Sequence, residues 1–231
     1  MKKLTGFFIA FSFVLTIPVA KVWAQAGTFE GTVTWSMSIP RMDDQPHTVT
    51  TNLKGGKVEQ EMDMGKQGLI KTYVIPEKNA KKYYMVMEAM KRGMSVEVPD
   101  NAVEASDTDL TATGKKETIA GHPSEEYLVK TPTGTLSLWA SSDFPKNLTE
   151  CIANSLRDQP RQDNNSSKAF LELAKKGLIP VKIVATSGGQ TAMSMEFVKF
   201  EKKRLKDALF VPPTDIKYQP MPSMGGGGGM N

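Results

Sequence analysis

The sequence predicts a mainly β protein: a large, curved antiparallel sheet with two short helices inserted after about two thirds of the chain. Three observations carry this. Apolar and polar residues alternate with period two in most segments between Phe29 and Glu201. Turn signals divide these segments, among them Gly55-Gly56, Thr131-Pro132-Thr133-Gly134 and Gly188-Gly189. Helical spacing occurs in one place only, around residues 147–176. Runs of hairpin-linked strands with helices gathered at one point imply that the helices cover one face of the sheet or plug its open side.

The N-terminus reads as an export signal. Lys2 and Lys3 form a positive start, Phe7 to Ala20 is apolar, and Ala24-Gln25-Ala26 has the small-x-small form of a cleavage site. The apolar run is shorter than the roughly 20 residues of a membrane span. Residues 1–26 are therefore expected to be a signal peptide, with cleavage after Ala24 or Ala26 and no transmembrane segment left afterwards. No cysteine stands near that site, which argues against a lipoprotein; a periplasmic or secreted location is expected. Lys2, Lys3 and Lys21 leave with the signal, so the formal charge falls from +4 to nearly balanced. Such a chain offers little footprint for nucleic acid.

Residues 27–220 are long enough for one domain with a core. The single cysteine, Cys151, excludes an intramolecular disulfide, and it falls on the apolar face of a helical pattern, where burial is expected. The glycine-rich 221–231 segment has a composition that disfavours folding.

The elements follow in order. Phe29 to Ile39 alternates as a half-buried strand, and Pro40 to Pro46 is a loop. His47 to Leu53 and Lys57 to Met64 are strands joined at Gly55-Gly56, with Val58, Met62 and Met64 on one face. Leu69 to Ile75 and Lys82 to Met87 follow; Tyr73 and Ile75 share a face, as do Tyr83, Met85 and Met87. Glu88 to Met94 fits either a helical turn or a bent strand. Val98 to Thr113 reads as a polar loop.

Gly114 to Ala140 reads as a short strand, a Gly-His-Pro corner, a long strand, a turn and another strand. Two registers fit the turn. A two-residue loop pairs Val129 with Leu136 and Tyr127 with Leu138. A three-residue loop with Gly134 in a bulge pairs Tyr127 with Trp139 and Leu128 with Leu138. The second is preferred, because Pro-x-Gly suits a type I turn followed by a left-handed glycine. It also places apolar residues on both faces, as in a sheet covered on both sides.

Leu148, Cys151, Ile152, Ser155 and Leu156 then recur at helical spacing, with Asn147 as cap and Glu150 completing a capping box. A second helix, Ser167 to Lys176, turns Phe170, Leu173 and Ala174 inward and stops at Gly177. Ile179 to Thr186 and Ala192 to Glu201 form a hairpin, with Met193, Met195, Phe197 and Lys199 alternating against Ala192, Ser194, Glu196, Val198 and Phe200. Leu209 to Pro213 is a last apolar segment.

Several pieces resemble the domain of unknown function 4412 family in the right order. They are Gly114 to His122, Glu125-Glu126-Tyr127, Leu138-Trp139, Ile179-Pro180-Val181-Lys182-Ile183, and Leu209 to Pro213 with Tyr218. The resemblance spans most of the mature chain. It implies an exported bacterial protein with an architecture like the periplasmic lipoprotein carriers: an unclosed β-barrel with helices over its concave side. Family members often carry cysteine after the Gly-aromatic step. Here His122 takes the aromatic place and Ser124 the cysteine's, which removes any argument for redox chemistry there.

Catalysis finds no motif. No Gly-x-Ser-x-Gly elbow or phosphate loop is present, and alternation turns Glu125 and Glu126 to opposite faces. No catalytic residue, cofactor or metal ligand is therefore assigned. His47 and His122 are too few for a zinc site, and Asp43-Asp44 before His47 reads as a solvated loop. Methionine is the distinctive residue. Met62-x-Met64, Met85-x-Met87 and Met193-x-Met195 repeat one spacing on strands, joined by Tyr73, Tyr83 and Phe197. Adaptable thioether chains suit an apolar binding surface. The expected function is thus non-enzymatic binding of a lipid, acyl chain or lipidated protein segment. The expected site residues are Met62, Met64, Tyr83, Met85, Met87, Met193, Met195 and Phe197. A structural or interaction protein of the envelope is the alternative, and copper binding through methionine the third.

Overall fold

The computed structural model describes residues 29–42, 45–65, 68–77, 80–99, 110–131, 134–157 and 164–220. The expected signal peptide, Asp43-Asp44, Pro132-Thr133 and the glycine-rich tail lie outside the described residues. Twelve strands form one sheet. They are β1 Gly31–Ser38, β2 His47–Lys54, β3 Lys57–Asp63, β4 Leu69–Pro76, β5 Ala80–Met87, β6 Arg92–Pro99, β7 Thr111–Ile119, β8 His122–Thr131, β9 Gly134–Ser141, β10 Ile179–Ser187, β11 Gln190–Lys202 and β12 Tyr218–Pro220. Helices α1 Lys146–Arg157 and α2 Asn164–Lys175 stand between β9 and β10.

The order across the sheet is β12-β6-β5-β4-β3-β2-β1-β11-β10-β9-β8-β7. All neighbours are antiparallel except β12, which runs parallel to β6. The end strands β12 and β7 do not pair with each other, so the barrel is unclosed, as expected. Ile183 of β10 and Tyr83 of β5 nonetheless line one cavity. They lie six strands apart, which would be about 29 Å in a flat sheet at roughly 4.8 Å per strand. The sheet is therefore strongly curved.

Both helices cover the concave side. Ala169, Phe170 and Leu173 of α2 pack on Tyr127, Val129, Leu136, Leu138 and Ile183. Leu148 and Ile152 of α1 join Val33, Trp35, Val58, Val74 and Tyr83 in the larger cluster. Gly177 ends α2 as expected: at φ 72° it lets the Leu178 N–H reach the Leu173 carbonyl at 2.9 Å. At the corner between β7 and β8, Ala120 and Gly121 both have positive φ, 49° and 85°, the geometry of a two-residue hairpin.

Several expectations are corrected. Tyr127 pairs with Leu138, Val129 with Leu136 and Glu126 with Trp139, so the two-residue register holds instead of the bulged one. The reason is α2: its apolar stripe needs Tyr127, Val129, Leu136 and Leu138 on one face. Asn147 lies inside α1, because the Pro145 carbonyl already accepts the Leu148 and Thr149 N–H groups. Residues 98–99 and 111–113, read as loop, belong to β6 and β7. Glu88–Met90 is a 3-10 turn and Arg92 onward is strand, so the 88–94 segment is both of the forms considered.

A bulge alters β11. Trp35 pairs with Phe197 and Thr34 with Lys199, leaving Val198 as the extra residue. The alternation changes phase there, and Phe200 returns to the side of Phe197; their ring centroids are 6.4 Å apart.

The convex side of β1–β6 is covered by the C-terminal segment. Lys54 donates to the Leu205 carbonyl at 2.7 Å and pairs with Asp207 at 3.1 Å, and the Leu205 N–H donates to Glu30 at 2.7 Å. The 3-10 turn Asp207–Phe210 packs near β3, and the Tyr218 ring meets Tyr84 at 5.0 Å. Of the apolar 209–213 segment, Phe210 is buried, whereas Leu209 and Val211 are exposed. Beneath this strap, Thr32, Asn52, Glu59 and Tyr73 occupy one cross-strand row. Tyr73 is thus on the convex side, opposite to the methionine face with which the sequence grouped it.

Candidate functional site

The concave face of β2–β6 consists of three cross-strand rows. The first is Val49, Met62, Ile70, Met87 and Arg92; the second is Thr51, Gln60, Thr72, Met85 and Met94; the third is Leu53, Val58, Val74, Tyr83 and Val96. Partners in register share a face, so each row crosses the sheet on one side. The third row is the most deeply buried and runs under α1. There Val58, Val74 and Tyr83 meet Val33, Trp35, Ile183, Met195 and Ile152 around a cavity of about 40 Å³. Thr51, Gln60 and Thr72 supply its polar edge. At roughly 10–15 Å³ per water molecule, this space has room for a few waters at most. The space beneath Ile152 is therefore small, while Met62, Ile70 and Met87 of the first row and Thr72, Met85 and Met94 of the second are half-buried.

The sequence-predicted residues divide into three groups. Tyr83 and Met195 line the cavity. Met62 and Met193 are partly buried against the larger cluster, and Met85 and Met87 are half-buried on the outer rows. Met64 and Phe197 are buried in the core. Phe197 is ringed by Trp35 at 5.6 Å, His122 at 5.3 Å and Phe144 at 5.3 Å, which makes it a packing residue. Sequence reasoning missed Ile70, Met94 and Val96 on the same face, and Ile152 above it. The alternation Met94, Val96, Val98 held the signal for the β6 residues, in a stretch read partly as loop.

Two buried carboxyl groups, Glu126 and Glu59, are engaged structurally. Glu126, buried on β8, accepts from Ser137 at 2.8 Å and Thr113 at 3.0 Å and pairs with Lys115 at 3.1 Å. Burial pushes its pKa up, but these partners outweigh burial and hold the carboxyl below its ordinary value. Glu59 is 1% exposed and accepts from Asn52 at 2.7 Å, while Thr32 donates to Asn52 at 2.6 Å. Burial raises the Glu59 pKa, and the Asn52 bond offsets only part of that.

His122 stacks on Phe144 at 4.3 Å and contacts Asp143 at 3.2 Å. His47 Nδ1 lies 3.0 Å from the Asp63 carbonyl. Cys151 sits 4.0 Å from the Phe29 carbonyl, and burial pushes its thiol pKa up, away from the reactive thiolate. Among the described residues, no group of three or more His, Cys, Asp and Glu could hold a metal ion. No described helix is long and apolar enough to cross a membrane.

Comparison with curated proteins gives no match. Among solved structures, the chain is similar to PNGF-II at 9% identity and TM-score 0.46, covering 84% of this chain and 31% of that one. It is similar to MucB, solved in complex with MucA, at 12% identity and TM-score 0.37, covering 82% and 55%. A LolA superfamily protein from Nitrosomonas europaea is similar at 9% identity and TM-score 0.30, covering 80% and 90%. The chain thus spans less than two thirds of the first two proteins, and none of these likenesses carries an activity to it. The sequence profile described as "Domain of unknown function (DUF4412)" matches residues 29–216, nearly the whole described fold. The chain belongs to the DUF4412 family.

Proposed function

We propose that this protein is an exported, non-enzymatic carrier or receptor for an apolar or amphipathic ligand, such as an acyl chain or a lipidated protein segment, bound along the concave face of β2–β6. One observation carries the proposal: the half-buried rows Met62-Ile70-Met87 and Thr72-Met85-Met94 lie beside the cavity beneath Ile152. A ligand would lie along these rows with one end beside the cavity at Ile152. Methionine suits such a surface, because its unbranched side chain fits variable shapes. Each buried CH₂ contributes roughly 0.8 kcal/mol before ordering costs, so a long chain can reach micromolar affinity.

The experiment is titration of the mature protein with a fluorescent fatty acid, beside a Met85→Asp, Met195→Asp double variant. Saturable binding by the wild type, lost in a folded variant, supports the proposal. Absent or equal binding refutes it for this ligand class. Export, motivated by the Ala24-Gln25-Ala26 signal, is tested by N-terminal sequencing of the secreted protein; an intact Met1 in the membrane fraction would refute it.

One observation favours the second reading, an interaction protein of the envelope. The cavity of about 40 Å³ is far smaller than the roughly 300–1,000 Å³ of ordinary ligand pockets.

A further inference from the structure

We propose that Met85, Met87 and Met94 form a site for a soft monovalent cation, Cu(I), on the hairpin of β5 and β6. The proposal goes beyond the apolar-ligand function and uses three methionines of the same face, read for their sulfurs and not for their apolar area. Met85 and Met94 are direct cross-strand partners, and Met87 is two residues along β5 on the same face. Direct partners have Cβ atoms about 4.5–5.5 Å apart and diagonal neighbours about 7–8 Å. Three rotatable bonds in each methionine let the sulfurs close that gap.

The packing separates these three methionines from the others. Met62, Met193 and Met195 pack against the hydrophobic clusters; Met85, Met87 and Met94 pack against neither and are half-buried. β-branched residues would serve an apolar strand face as well. What methionine adds is a neutral, polarisable sulfur ligand, which selects Cu(I) over harder ions. Met90, 62% exposed in the connecting turn, puts a fourth thioether in the same ten residues.

The charges nearby are compatible. Lys71 is held by Glu61 at 3.4 Å and Glu88 at 3.0 Å. Arg92, the partner of Met87, is exposed, so water and salt screen its charge. The copper arrangement considered from sequence joined three Met-x-Met pairs. Here only Met85-x-Met87 contributes, and Met94 from the adjacent strand replaces the other pairs.

The test is anaerobic titration of the mature protein with Cu(I) against a chromophoric Cu(I) chelator, with Zn(II) in parallel. One Cu(I) per chain, sulfur-only ligation by X-ray absorption and no matching Zn(II) affinity are expected. The Met85→Leu, Met87→Leu, Met94→Leu variant keeps the apolar face but loses the sulfurs. It should keep the urea midpoint and the strand signal in circular dichroism, while Cu(I) affinity falls by at least about tenfold. Met94→Leu alone should weaken Cu(I) in the same direction. Met193→Leu, Met195→Leu should bind as wild type. No Cu(I) capture by the wild type, unchanged capture by the triple variant, or loss caused by Cys151→Ser would overturn the site. Failure of the apolar-ligand proposal alone would leave Cu(I) binding intact.

Discussion

Truncating Ile152 to alanine removes the α1 side chain that roofs the concave cavity. Ile152 is 5% exposed and lines the void of about 40 Å³. Losing three carbons forfeits roughly 2.4 kcal/mol of transfer energy at about 0.8 kcal/mol each. An added void the size of the existing one would cost about 1 kcal/mol more, at roughly 24 cal/mol per Å³. The expected destabilisation is therefore about 3–4 kcal/mol, read as a lower urea midpoint with an unchanged m-value. The same variant opens the roof, so a short apolar probe should bind it more tightly than wild type. A midpoint shift worth under about 1 kcal/mol would show that Ile152 does not pack on the sheet. A folded variant with wild-type probe affinity would separate the cavity from ligand binding.

Phe197→Ala should cost about 3–5 kcal/mol, because the ring is buried among Trp35, His122 and Phe144. Trp139→Ala should cost less, since Trp139 is half-buried opposite the α2 face; denaturation of both variants checks the order. Glu59 has a pKa raised by burial, so the folded state binds its proton more tightly than the unfolded chain. That stability is full below the unfolded pKa and is lost as pH rises through the folded pKa. Glu59→Gln keeps an acceptor for Asn52 and should flatten this slope, making the variant the more stable one above the folded pKa; parallel pH profiles would contradict this. At Gly31 an added Cβ would collide with the Glu201 carbonyl oxygen and lie 2.9 Å from the Phe29 ring. Gly31→Ala should therefore cost more than 1 kcal/mol by thermal melting, and a neutral result would contradict the close β1–β11 approach.

The strands were legible because period-two alternation is the direct imprint of one covered face, and paired glycines such as Gly188-Gly189 marked the turns. What alternation does not encode is which of the two faces is covered. Tyr73 illustrates this: its row with Glu59 is buried by the C-terminal strap, a contact between residues far apart in sequence. Glu59 itself reads as a solvent-facing residue of an alternating strand until that strap is seen. Local turn chemistry favours the bulged β8–β9 register, and the packing of α2 on Tyr127, Val129, Leu136 and Leu138 overrides it. The phase change at Val198 is a bulge, which leaves no local sequence mark. Of the candidate site, the methionines of β5 were legible as one face. Met94 was not, because the 3-10 turn at Glu88–Met90 hides the start of β6.

The central claim is that an apolar ligand lies on the concave face between β3 and β6 and under α1. Photo-crosslinking tests it most directly: a diazirine fatty acid is bound to the mature protein, irradiated, and the labelled peptides are mapped by mass spectrometry. Saturable labelling is predicted at residues 60–62, 70–74, 83–87 and 94–96, with Ile152 the labelled position on the helices. Labelling confined to the strap at residues 205–218, or labelling that does not saturate, would contradict it.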